Sequence, residues 1–180
     1  KGYVNTTVAD VIKRAGVSRE TFYQQFSSKA DCFMTAFDAA ADLLIACVEA
    51  GADLDIDTLG AGDGRAPETR IAQFDGALNL YLDTLAQHPE AARLFLVEVY
   101  AAGPEAIRRR AEVQRRIVEV VAKILSFAPD DEPSRFASEV LVAGVGSLVT
   151  EPLVSSDPSA LRDLREPLVA LVRRAVTLTT

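Results

Sequence analysis

Histidine and methionine each occur once in this 180-residue chain, and cysteine twice. The single histidine, His88, precedes Pro89 at the end of a helical pattern. It has no second histidine and no nucleophile near it, so a cap fits it better than a metal centre or a catalytic dyad. Cys32 and Cys47 lie on what reads as one helix, where their separation is a rise of roughly 22 Å, too far for a bridge within one chain. Long apolar runs are lacking as well. The uncharged stretch 140–150 is too short to cross a bilayer, and no basic start leads into an apolar export core. A cytoplasmic protein without a membrane partner is expected.

Two cofactor motifs are begun and not completed. Asp53, Asp55 and Asp57 imitate the opening of a calcium loop, but Thr58 stands where the turn glycine is needed and Gly64 where the closing glutamate belongs. Gly60 and Gly62 start a dinucleotide fingerprint whose third glycine is replaced by Arg65, and no strand precedes it. No metal or other cofactor is expected. Period-two alternation is nearly absent, so proline and glycine divide the chain into helical periods and the fold class is all-α.

The chain is acidic, with a net charge of −7 and 49% apolar residues, enough to bury a sizeable core. Acidity opposes a nucleic-acid partner, since phosphate contacts dominate such affinities. The distribution is uneven, however: residues 1–37 carry +2 and the remainder −9. The mildly basic head and the acidic bulk read as different functional parts. The opening at Lys1 without an initial methionine predicts that the natural chain is longer.

Within the head, Thr7 can cap a helix carrying Val8, Val11 and Ile12 on one face, which should end at Gly16. Ser18 offers a second cap, with Phe22 and Phe26 four apart on a short helix closed by Ser27 and Ser28. Two short helices around a glycine turn make a helix-turn-helix, whose second member can enter a major groove. Hiding Phe22 and Phe26 leaves Arg19, Thr21, Tyr23 and Gln24 free. Arg and Gln can pair bidentately with bases, while Thr and Tyr hydroxyls more often hold phosphates. A helical hairpin with a polar outer face fits the same periodicity.

The residues themselves favour the first reading. Thr6-Thr7-Val8-Ala9-Asp10-Val11, Ala15-Gly16-Val17-Ser18, Thr21-Phe22-Tyr23, Phe26 and Lys29 resemble the DNA-binding signature of the tetracycline-repressor (TetR) family over about residues 2–37. The resemblance implies a helix-turn-helix head at 1–37 on a multi-helix effector-binding and dimerisation domain at 38–180. It also implies DNA contacts from Thr7, Ser18, Arg19, Thr21 and Tyr23, with Lys29 as a phosphate ligand opening the fourth helix. Gly2 and Tyr3 would end a supporting helix that is otherwise absent. Ile12 replaces the small alanine usual in the family, which should spread the two short helices slightly.

Further helices are predicted at about 29–50, 68–87, 90–100, 105–127, 134–151 and 158–177, with a flexible connection at 51–67. Leu161, Leu164, Leu168, Leu171, Ala175 and Leu178 repeat at three and four, the seam of a bundle helix. Val142 and Val145 lie in the uncharged run before it. These two valines with Leu161, Leu164, Leu168 and Leu171 are the expected homodimer interface, an intramolecular core being the alternative. A symmetric dimer would present two reading helices to a palindromic operator in double-stranded DNA.

In the TetR family the middle helices enclose an effector cavity, for which Phe74, Leu78, Tyr81, Phe95 and Tyr100 are the candidates, with plain core packing as the alternative. The resemblance thus implies a repressor released by a small molecule. An all-α carrier or enzyme without DNA binding is the rival, although no set of titratable groups converges to support catalysis. Arg108, Arg109, Arg115 and Arg116 have glutamates four residues away, so the arginine cluster at 108–110, 115 and 116 reads as a solvated, internally paired face.

Overall fold

In the computed structural model, residues 1–53, 64–126 and 131–178 are described, and among these all regular structure is helical. The sequence readings at residues 54–63, including most of the failed calcium and dinucleotide motifs, lie outside the described residues, as do Phe127 and Pro129.

The head comprises α1 (Gly2–Asn5), α2 (Val8–Ala15) and α3 (Arg19–Gln25). Thr7 caps α2 through a capping box: its hydroxyl accepts from the Asp10 amide while the Asp10 carboxylate accepts from the Thr7 amide. Gly16 ends α2 in the left-handed conformation, φ 69°, which a residue with a Cβ adopts at a cost. Ser18 caps α3. The expected boundary at residue 37 falls inside α4 (Lys29–Gly51), an unbroken helix whose Phe33 and Phe37 both sit in the main core.

The body adds α5 (Pro67–Gln87), α6 (Pro89–Leu96), a 3-10 turn over Glu98–Ala101, α7 (Pro104–Ile124) and α8 (Glu132–Leu148). Pro67, Pro89 and Pro104 each open a helix at the position where a missing amide hydrogen costs nothing. Helices α4 and α5 cross at Gly51 and Gly76, where a Cβ on Gly51 would stand 2.6 Å from the Gly76 carbonyl oxygen. Larger residues would hold the helices apart.

The C-terminal region differs from expectation. The helix predicted to run to residue 151 ends at Leu148 and is followed by α9 (Thr150–Ser155), and the single helix expected at 158–177 is split into α10 (Pro158–Asp163) and α11 (Arg165–Leu178). Each break comes four residues before an interior proline, Pro152 or Pro167, where the ring clashes with the preceding turn and no amide hydrogen is available. Within the 24-residue α8–α9 stretch, Glu132–Ser155, the apolar 18-residue window is only 22% buried. By length and composition the stretch is long and apolar enough to cross a membrane, a test that helices of soluble proteins also pass.

Candidate nucleic-acid interface and ligand cavity

The head presents α3 outward. Phe22 is 3% exposed and packs edge-on against Tyr23 and tilted against Phe26, while Arg19, Thr21, Tyr23 and Gln24 are all exposed. The Arg19 guanidinium stands over the Tyr23 ring at 5.6 Å, so the two are presented as a unit. Ser18 and Thr21 share a hydrogen bond of 2.9 Å between their hydroxyls, and Ser18 also accepts from the Thr21 amide. Thr7, exposed at the start of α2, donates to Asp10. The Lys1 ammonium and the Thr7 groups hold the Asp10 carboxyl well below the usual carboxylate range. These hydroxyls sit at helix N-termini, where free amides and the helix dipole favour an anion.

Lys29, expected at a phosphate, also makes contacts within the head. Its ammonium donates to the carbonyls of Tyr3 and Thr6 at 2.9 and 3.0 Å and lies 4.1 Å from the centre of the Tyr3 ring. Two of its three protons are thus turned inward onto the exposed carbonyls at the end of α1. Lys29 thereby fastens α1 to α4.

A second fastening joins the head to the body. The Tyr3 amide donates to Glu98 Oε2 at 2.7 Å, and Gly2 approaches the same carboxylate so closely that a Cβ there would lie 3.1 Å from it. The Tyr3 ring packs edge-on against Phe33 at 4.9 Å. Glu98 belongs to the 3-10 turn that also carries Tyr100.

Through Tyr100 that turn borders the outer of two adjoining spaces in the body. The inner one, a slot of about 80 Å³, is lined by Phe74, Leu78, Tyr81 and Phe95 among others. The outer one, a cleft of about 630 Å³, is lined by Val97, Tyr100, Thr150 and Val154 among others. Four of the five candidate ligand residues therefore meet in the slot, and the 55%-exposed Tyr100 stands at the cleft. Leu96, Arg110, Gln114, Ala143 and Gly146 belong to both walls. Burial pushes the Tyr81 hydroxyl well above its ordinary range.

Arg110 and Gln114 were hidden from the sequence reading inside the arginine cluster. Their signal was spacing: 110, 114, 117 and 121 recur at four, three and four, the inward stripe of α7. The expected pairing within α7 is also corrected. Arg109 bonds Asp38 of α4 at 2.8 Å and Glu112 at 3.1 Å, and Arg116 lies 3.9 Å from Asp42. The acidic partners of these arginines are thus largely on the neighbouring helix.

The six residues expected at a dimer interface separate. Leu161 and Leu168 are buried at 2% and 5% exposure, with Val172 and Val176 extending the inward stripe in steps of four. Leu164 is half-buried, Val142 and Val145 line the slot, and Leu171 alone is exposed. The exposed apolar face lies elsewhere, at Phe136, Val140 and Leu148 of α8 beside Leu171 of α11. A groove of about 310 Å³ between these two helices, lined by Val140, Gly144, Leu148 and Leu171 among others, is almost wholly apolar.

A capped helix-turn-helix on a helical bundle is an arrangement that can place its second helix in a major groove. Residues 1–35 match the family of bacterial regulatory proteins described as tetR family. No curated protein matches the chain significantly. Residues 1–35 thus carry a DNA-binding head similar to that of the tetR family.

Proposed function

We propose that the protein is a homodimeric, one-component repressor whose α3 reads a palindromic operator and which a small molecule in the body cavity releases from DNA. Arg19, Tyr23 and Gln24 contact the groove, and Thr7, Ser18 and Thr21 hold the flanking phosphates. Lys29 contributes by holding α1 in place beneath them.

The observation that carries the reading is the hydrogen bond from the Tyr3 amide to Glu98. The turn bearing Glu98 also borders the cleft through Tyr100, so a molecule that displaces the turn moves the head's anchor. An effector favouring one of two arrangements changes operator affinity by its differential binding energy, typically about 1–3 kcal/mol. Dimerisation is supported by the exposed apolar side of α8 and α11. Glycines there leave open space, since a Cβ added at Gly144 would meet nothing within 4 Å in the protomer.

The test is binding of the full chain to DNA flanking its own gene, followed by addition of fractionated small-molecule extract from the producing cell. A palindromic footprint relieved by one fraction supports the reading. A protein that binds small molecules and shows no DNA preference would be a carrier instead.

A further inference from the structure

The cavity's chemistry defines a class of effector, on the reading that this cavity is the sensing site. We propose that it takes an amphipathic anion, with a slender apolar tail in the inner slot and a carboxylate or comparable oxyanion on Arg110 at the boundary with the cleft.

The slot's size and lining specify the tail. At about 80 Å³ it is well below the roughly 300–1,000 Å³ typical of drug-sized sites, whereas the adjoining cleft of about 630 Å³ falls within that range. The slot has room for a narrow apolar segment, and the bulkier polar end belongs in the cleft. Phe74, Leu78 and Phe95 offer the tail no hydrogen bond.

The head group is specified by the unpaired edge of Arg110. Its Nη1 donates to Gln114 Oε1 at 3.1 Å, and its guanidinium stacks over the Tyr100 ring at 5.0 Å. Its Nε is buried without a hydrogen-bond partner. Among the described residues no carboxylate pairs with it, in contrast to Arg109 and Arg116 on the same helix. The Nε–Nη2 edge is therefore free, and it is the edge that a carboxylate grips with two parallel bonds. A buried donor left unsatisfied is costly, more so when charged, so an oxyanion there relieves a standing penalty.

Two neighbours refine the assignment. With its oxygen engaged by Arg110, the Gln114 amide has its N–H groups free to donate to the same head. Glu151 also lines the cleft, but it is exposed, where water and salt screen its repulsion. A cationic ligand would meet the Arg110 charge at the slot boundary with no buried carboxylate to receive it.

The test compares three compounds with the same ten-carbon chain, decanoate, decanol and decyltrimethylammonium, by calorimetric titration of the full-length protein. Each is also tested for release of operator DNA. Decanoate should bind at least about tenfold more tightly than decanol, equivalent to about 1.4 kcal/mol, and the cation should not bind. Arg110→Gln should remove the preference for decanoate over decanol. Should that variant misfold, Arg110→Lys retains the charge, loses the fork and should reduce the preference.

Equal binding of the three compounds, or an undiminished preference in a folded Arg110 variant, would overturn the anionic-head assignment while leaving the cavity as a binding site. Failure of all three to bind would overturn the tail-and-head class. Operator binding in the same samples separates that failure from failure of the regulator reading itself.

Discussion

Glu98 accepts a hydrogen bond from the backbone amide of Tyr3 at 2.7 Å across 95 residues of chain, tying the start of the DNA-binding head to the turn beside the cavity. The opposite side of Tyr3 is held by Lys29, which takes its carbonyl and covers its ring. Glu98 and Lys29 thus clamp α1 between the body and α4.

Removing the clamp should loosen the head locally. A hydrogen bond to a charged group contributes about 1.5–3 kcal/mol, so Glu98→Ala should accelerate amide exchange over residues 2–6 by about tenfold or more. Exchange in the core of α5 should be unchanged. Equal protection of residues 2–6 in the two proteins would show that the clamp carries no load.

The crossing of α4 and α5 should tolerate no side chain. A Cβ on Gly76 would run into the Gly51 carbonyl oxygen, a backbone atom that cannot swing aside. Overpacking of this kind costs about 1–3 kcal/mol, so Gly76→Ala should lower Tm by about 2–12 °C for a chain of this length. Gly144→Ala, which meets open space in the protomer, is the control for protomer stability, and an equal loss there would contradict the crossing argument.

The apolar groove between α8 and α11 should be the dimer seam. Gly144→Glu or Leu171→Glu puts a charge where the proposed partner sits and leaves the protomer's own packing untouched. Light scattering should find a dimer for the unaltered protein and monomers for these variants, with helical content preserved. A dimer that persists in both would place the seam elsewhere.

What the sequence made legible follows from locality. The caps at Thr7 and Ser18, the left-handed turn at Gly16 and the burial of Phe22 are written within a few adjacent residues, and they came through in place. The splitting of the last helices was local too, at Pro152 and Pro167, but the leucine repeat across Pro167 masked it. Leu161 and Leu168 then proved to be core because α10 and α11 pack against α5 over them, a choice between two apolar stripes that periodicity alone does not make. The inward position of Arg110 is illegible for a related reason. In sequence it belongs to an arginine run, and only the phase of α7 turns it away from solvent toward the slot. The inward turn of Lys29 depends on Tyr3 and Thr6 being nearby in space, which no spacing rule announces.

The most direct measurement is the affinity of the full-length protein for DNA flanking its gene, taken across salt concentration and compared with Tyr23→Ala. The account predicts binding centred on a palindrome and a steep fall in log K with log salt. The variant should lose about 1–3 kcal/mol, roughly 5- to 150-fold. Binding without sequence preference, unchanged when the Tyr23 ring and its contact with Arg19 are removed, would contradict the claim that α3 reads the operator.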